Sequence, residues 1–121
     1  MKKILLVEDD PFLADIYTTK IKKAEFEIDV MGDGDGVLPK IRETKPDLLL
    51  LDIVLPHLDG WEIIKQIKEA DDIKDLKIII LSNLGQKNEV EKGLKLGAVK
   101  YFIKAHYTPT EIVEEIKKIL K

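Results

Sequence analysis

The sequence predicts an α/β fold: a doubly wound, five-stranded parallel sheet in the order 2-1-3-4-5, with helices on both faces. Three observations lead there. The runs Ile4-Leu5-Leu6-Val7, Leu48-Leu49-Leu50-Leu51 and Ile78-Ile79-Ile80-Leu81 are apolar without interruption, as parallel strands covered on both faces are. Glu27-Ile28-Asp29-Val30 alternates, and the stretch from Val99 to Lys104 carries Lys100 within it, so both suit sheet edges. Strand and helix patterns alternate five times over 121 residues, with no linker, repeat or low-complexity tract to divide them.

Each helix has a readable beginning or face. After the first strand, Asp10 is an N-cap and Pro11 the first helical residue, with Phe12, Leu13, Ile16, Tyr17 and Ile21 on the inward face. The second helix is expected from about Asp35 to Thr44, although Pro39 should shift its start or kink it. The third runs from about Gly60 to Ala70, capped by Asp59, with Trp61, Ile63, Ile64 and Ile67 turned inward, and the fourth from about Asn88 to Leu96. Thr108-Pro109-Thr110-Glu111 is a capping box that opens the fifth, followed by Ile112, Val113, Ile116, Ile119 and Leu120. Right-handed crossovers with strands 1, 3 and 4 central give the flavodoxin-like order, whose ligand crevice lies at the carboxyl ends of strands 1 and 3.

Composition narrows the function classes. At 121 residues, with 45% hydrophobic and 36% charged, the chain is expected to be one domain spanning 1–121, folding alone, with no effector domain. Lys+Arg number 20 against 23 Asp+Glu, so 20 − 23 = −3, and no basic excess points to direct nucleic-acid binding. Cysteine is absent, which removes disulfides and thiolate zinc sites. No apolar run nears the roughly 20 residues of a spanning helix, and Met1-Lys2-Lys3 leads into a strand rather than a signal peptide. The expectation is a cytoplasmic protein without membrane contact.

The predicted crevice gathers Glu8 and Asp9 after strand 1, Asp52 after strand 3, Ser82 at the end of strand 4 and Lys104 at the end of strand 5. Crowded carboxylates repel and tend to hold protons unless a cation sits among them. Few carboxylates, waters and a phosphate oxygen are what Mg²⁺ prefers, with Mn²⁺ as a substitute. An Asp so placed can act as a nucleophile toward phosphorus while a metal and a lysine neutralise the phosphoryl oxygens, and Ser82 can hydrogen-bond the attached group.

Leu5-Leu6-Val7-Glu8-Asp9-Asp10, Leu51-Asp52-Ile53-Val54-Leu55-Pro56, Asp59-Gly60, Leu81-Ser82 and Tyr101-Phe102-Ile103-Lys104 together resemble, in order and spacing, the receiver domains of bacterial response regulators, over essentially the whole chain. The resemblance implies a chemotaxis-regulator-like receiver of a two-component phosphorelay, which catalyses only its own phosphorylation and slow dephosphorylation. It makes Asp52 the phosphoacceptor, with Ser82 and Lys104 assisting. Asp9, Asp52 and the Val54 carbonyl become direct metal contacts, Glu8 acts mostly through water, and Ser82 and Tyr101 form the switch pair. The donor is a phosphohistidine on a sensor histidine kinase or a histidine phosphotransfer protein docking on helix 1, and the face of helix 4, strand 5 and helix 5 meets a downstream protein target.

Plainer readings cover other residues. Asp10 is a helix cap rather than a ligand, His57 and His106 are loop residues, and Trp61 is packing. A haloacid-dehalogenase-type phosphatase needs a second Asp where Val54 stands. A flavin or nucleotide binder needs glycine and hydroxyls after strand 1, where Glu8-Asp9-Asp10 repels phosphate. A docking module that is never phosphorylated would keep the fold without the chemistry. Two further departures from the family pattern stand out. Ala105 replaces the usual proline after Lys104, so a trans peptide and a rerouted loop through His106-Tyr107 are expected, since a cis bond costs about 2.5 to 4 kcal/mol without proline. Asn83 follows the switch hydroxyl where a small residue is usual.

Overall fold

Alternation within the apolar runs decides the layers, because successive side chains of a strand point to opposite faces. The computed structural model describes Met1–Lys121 as β1 (Lys3–Val7), α1 (Pro11–Lys23), β2 (Glu27–Met31), α2 (Val37–Thr44), β3 (Leu48–Leu51), α3 (Gly60–Glu69), β4 (Lys77–Ser82), α4 (Lys87–Leu96), β5 (Lys100–Ile103) and α5 (Pro109–Ile119). All five strands are parallel and ordered β2-β1-β3-β4-β5. Ile4, Leu6, Leu48, Leu50, Ile79, Leu81 and Phe102 pack on one face with Tyr17 and Ile21 of α1 and Ile112, Val113 and Ile116 of α5. Leu5, Val7, Leu49, Leu51, Ile78 and Ile80 pack on the other with Ile41 of α2 and Ile63, Ile64 and Ile67 of α3. Each unbroken run is thus two interleaved core stripes.

Caps set the helix ends. Asp10 accepts from the amides of Phe12 (2.9 Å) and Leu13 (3.3 Å), as a cap should. Thr108 and Glu111 close the capping box of α5 in both directions, at 3.2 and 2.9 Å. The second helix starts at Val37, two residues past Asp35, behind Gly36 at φ 83. Pro39 thereby falls in the first turn, where a missing N–H leaves no bond unmade. The fourth helix starts one residue early, at Lys87, with the Gln86 amide donating to Glu89 at 3.0 Å.

Three expectations about faces and ends change. Phe12 is 73% exposed rather than inward: at roughly 100° per residue it lies opposite Ile21 on α1. Trp61 is only partly buried, and the Lys92 ammonium lies 4.5 Å from its ring centroid. The fifth strand ends at Ile103, and Lys104–His106 form one turn of 3₁₀ helix. No peptide bond is cis, so Lys104-Ala105 is trans and the connection reroutes as expected. No helix is long and apolar enough to cross a membrane.

Gly60 opens α3 directly against the end of β3. A Cβ built there would lie 2.6 Å from the Asp52 carbonyl oxygen and 2.7 Å from Ile53 Cα, both backbone atoms that cannot swing aside. Gly60→Ala should therefore destabilise the domain by about 1–3 kcal/mol, as overpacking does, despite alanine's better helix propensity. Urea unfolding measures it, and an unchanged midpoint would contradict the tight approach.

Candidate functional site

Of all polar and charged residues, only Glu8, Asp52 and Ser82 are buried, and all three stand at the carboxyl ends of neighbouring strands. The sheet brings them together. The Asp52 amide donates to the Val7 carbonyl at 3.0 Å, extending the β1–β3 ladder one residue beyond the strands, while the Glu8 amide donates to Met31 at 2.9 Å. Ser82 closes β4 in register with Ile103 of β5, and Lys104 follows at once.

Lys104 turns back over the rim. Its ammonium donates to Asp52 Oδ2 at 2.7 Å and lies 2.5 Å from Glu8 Oε1, with only 9% of its side chain exposed. Glu8 Oε1 thus meets Lys104 as an ion pair and has no other partner. Glu8 Oε2 accepts from the Asp10 amide at 3.2 Å. The Asp52 carboxylate is held at its other oxygen by the Ile53 amide at 2.7 Å and, more loosely, by the Val54 amide at 3.4 Å.

Burial pushes the Glu8 carboxyl above its ordinary value, and Lys104 together with the Asp10 amide offsets this only in part. For Lys104 burial is the largest influence and acts downward, but the bonds to Asp52 and Glu8 outweigh it and hold the ammonium above its usual range.

Carboxylate oxygens of Glu8, Asp9 and Asp52 lie within 4.8 Å of one another, with Asp9 exposed toward solvent. This all-oxygen set suits a hard divalent cation, since three carboxylates against the single ammonium of Lys104 leave an excess of negative charge at the rim. The residues present therefore fit a metal. Asp10 is committed to capping α1 and stands outside the set.

The other expected residues gather close by. Ser82 Oγ accepts from the Leu84 amide at 3.2 Å, and the Tyr101 hydroxyl donates to the Leu84 carbonyl, so Leu84 joins the two. Tyr101 is partly buried against the core. Val54 is 60% exposed at the rim, and Asn83 also faces solvent. Two features escaped sequence reading. Gly60, seen only as part of a motif, backs directly onto Asp52. His57, read as a loop residue, pairs with Asp33 at 2.5 Å; its positive φ of 67 has no signal in the sequence.

Comparison with known proteins gives one family. The family model of the response regulator receiver domain matches residues 4–117. The chain is 35% identical over 119 residues to the transcriptional regulatory protein BaeR of Escherichia coli, covering 98% of this chain and 48% of BaeR. It is 32% identical to the chemotaxis protein CheY of Thermotoga maritima, covering 99% of this chain and 98% of that one. It spans about half the length of BaeR and of the other transcriptional regulators it matches. The BeF₃-activated N-terminal receiver domain of Klebsiella pneumoniae RstA superposes with a TM-score of 0.90 at 28% identity, covering 99% of each chain. The Mn²⁺-bound form of the response regulator Rcp1 superposes with a TM-score of 0.86 at 25% identity, covering 99% of this chain and 94% of that one.

The raised Glu8 carboxyl sets a pH dependence for the metal-free protein. Above its ordinary value of 4.5 the folded chain holds this proton more firmly than the unfolded chain does. Its contribution to stability is therefore complete below that value and is lost as pH rises through the shifted one. In the presence of a chelator, Glu8→Gln should be more stable than the wild type at pH 7, with the gain shrinking as the pH falls toward 4.5. Denaturant unfolding at both ends of that range reads the difference, and a pH-independent gap would refute the burial argument.

Proposed function

Because the chain belongs to the response regulator receiver domains of two-component systems, we propose that Asp52 is its phosphoacceptor and that phosphorylation there switches the face formed by α4, β5 and α5. The observation that carries this reading is the pairing of the buried Asp52 with Lys104 at 2.7 Å, within 4.8 Å of the Glu8 and Asp9 carboxylates.

The chain's own residues account for most of the step. The backbone amides of Ile53 and Val54 hold Asp52 Oδ1, which orients the carboxylate and leaves Oδ2 facing Lys104. An Asp52 oxygen attacks phosphorus, the bond from phosphorus to the donor's imidazole nitrogen breaks, and its electron pair stays on that nitrogen. Lys104 then moves its hydrogen bond from the carboxylate to an oxygen of the incoming phosphoryl group. Asp9, Asp52 and the Val54 carbonyl would hold Mg²⁺, or Mn²⁺ in its place, with Glu8 acting through water, and the ion supplies charge neutralisation for the phosphoryl oxygens.

Ser82 and Tyr101 carry the signal outward in this reading. If the Ser82 hydroxyl turns to the phosphoryl group, it leaves the Leu84 amide, and Leu84 is also what the Tyr101 hydroxyl holds. The ring of Tyr101 packs against Gly93 of α4, where a Cβ would lie 2.7 Å from Tyr101 Cδ2. Movement of the loop is thereby felt by α4 and β5 together.

The donor is a sensor histidine kinase or a histidine phosphotransfer protein, docking on the α1 side of the rim, and the output is contact with a downstream protein. Residues 1–121 act as one receiver unit, placed in the cytoplasm. Relatives named as transcriptional and DNA-binding regulators give no support to the expectation that the protein avoids nucleic acid.

The test is mass measurement after incubation with acetyl phosphate and Mg²⁺. The wild type should gain one phosphate and Asp52→Asn none, and an unchanged gain in the variant would remove Asp52 from the role.

The phosphorylated form should also be long-lived for this family. Hydrolysis needs a water held in line with the bond from Asp52 to phosphorus, normally by a nearby polar side chain. Val54 and Leu84, the positions two beyond Asp52 and two beyond Ser82, can neither orient a water nor take its proton. Val54 is exposed enough to accept a substitution without disturbing the core. Removing the donor and following phosphate loss should show Val54→Asn losing it several-fold faster than the wild type; equal rates would end this argument.

A further inference from the structure

We propose that His57 and Asp33 form a clasp between two loops that positions the segment after β3, and with it Val54, for divalent-cation binding beside Asp52; this rests on the metal-assisted reading above. The segment Ile53–Asp59 is fixed at both ends. Its start is tied to Asp52 through the amides of Ile53 and Val54, and its end by the Gly60 amide donating to the Ile53 carbonyl at 2.8 Å. Between those anchors, the loop leans on the Gly32–Asp35 turn that follows β2. The Gly34 amide donates to the Pro56 carbonyl at 3.2 Å, and a Cβ on Gly34 would overlap the Leu58 carbonyl oxygen at 1.7 Å. The two loops meet backbone to backbone, with no room for slack.

His57 locks this arrangement from outside. Its φ of 67 lies in the left-handed region, which glycine adopts freely and which histidine, with asparagine and aspartate, adopts more readily than other side chains. Such a conformation persists where surrounding contacts hold it, and here the ring Nδ1 lies 2.5 Å from Asp33 Oδ2 across 24 residues of sequence. The Asp33 carboxylate is held at its other oxygen by the Asp35 amide at 2.8 Å. That amide, followed by His57, keeps the Asp33 carboxyl below its ordinary range. Asp33 is the one carboxylate within ion-pair distance of His57, and both side chains are well exposed, at 71% and 39%. Exposed pairs contribute little to stability. Placement of the loop is the use that remains.

The test measures metal rather than phosphate. Free Mn²⁺ is followed by electron paramagnetic resonance as it is titrated with the wild type, His57→Gly, His57→Asn and Asp33→Ala, and unfolding is recorded for each in chelator. His57→Gly and Asp33→Ala should bind Mn²⁺ about two- to five-fold more weakly, the range one exposed pair can supply, while still unfolding in a single cooperative transition. His57→Asn should restore wild-type affinity, since asparagine tolerates positive φ and its amide nitrogen can stand in for Nδ1. If His57→Gly binds Mn²⁺ as tightly as the wild type, or His57→Asn as weakly as His57→Gly, the clasp is overturned and the metal reading stands. If the wild type itself takes up no Mn²⁺, both are overturned.

Discussion

Two carboxylates almost removed from water, Glu8 and Asp52, coexist because one ammonium lies between them, and much of the site's architecture follows from getting Lys104 there. Its strand is far from theirs. In the order β2-β1-β3-β4-β5, Lys104 leaves the end of β5, while Asp52 is two strands away and Glu8 three. With neighbouring strands about 4.8 Å apart, a lysine stem reaches that far only by lying across the end of β4. The residue at that end is Ser82, fully buried and small.

The same economy of space governs the loops around the rim. Gly60 lets α3 begin directly behind Asp52, Gly34 lets the turn after β2 lie against Leu58, and Gly93 lets α4 lie against Tyr101 and Ile80. At each contact a single methyl group would push a backbone or a core side chain aside. The acidic rim is consequently held from behind by tightly packed backbone, while Asp9 and Val54 face outward to solvent. Rigid support under an open face is what a site needs if it must hold charge in one geometry and still admit a second protein's phosphohistidine.

Much of this was legible in the sequence, for a physical reason. The Leu48–Leu51 and Ile78–Leu81 runs are buried on both faces, so nothing but apolar residues fits there, and the first polar residue after each run marks the strand end where a ligand crevice forms. Glu8, Asp52 and Ser82 were found that way, and Lys104 from the end of the mixed edge strand. Phe12 was misplaced because an aromatic beside a cap looks like core until the helix phase is set by Ala14, Tyr17 and Ile21. The pairing of His57 with Asp33, the bidentate contact of Arg42 with Asp72 and the stacking of Lys92 on Trp61 join residues 24 to 31 positions apart in chain order. No local pattern encodes which loops will meet. The turn at Lys104–His106 was foreseen only as a detour, since the lack of proline excludes one conformation without selecting another.

Charge counting explains why the site is built with an acid too many. Glu8, Asp9 and Asp52 against Lys104 leave a formal −2 at neutral pH, which a divalent cation brings to zero. In the proposed reaction Asp52 gives up its own charge to the new ester bond and the phosphoryl group brings about −1.5 to −2, so the occupied site ends close to one charge more negative than before. Nothing within the acidic set can absorb that increment. It falls to the Lys104 ammonium as it shifts onto the phosphoryl group and to groups that are neutral but oriented: the Ile53 and Val54 amides already aimed at Asp52, and the buried Ser82 hydroxyl. In the proposed reading, Ser82 is the neutral donor whose reorientation would offset that charge. Where that reorientation carries the Ser82 oxygen away from the Leu84 amide it now accepts from, it releases the loop that Tyr101 also grips.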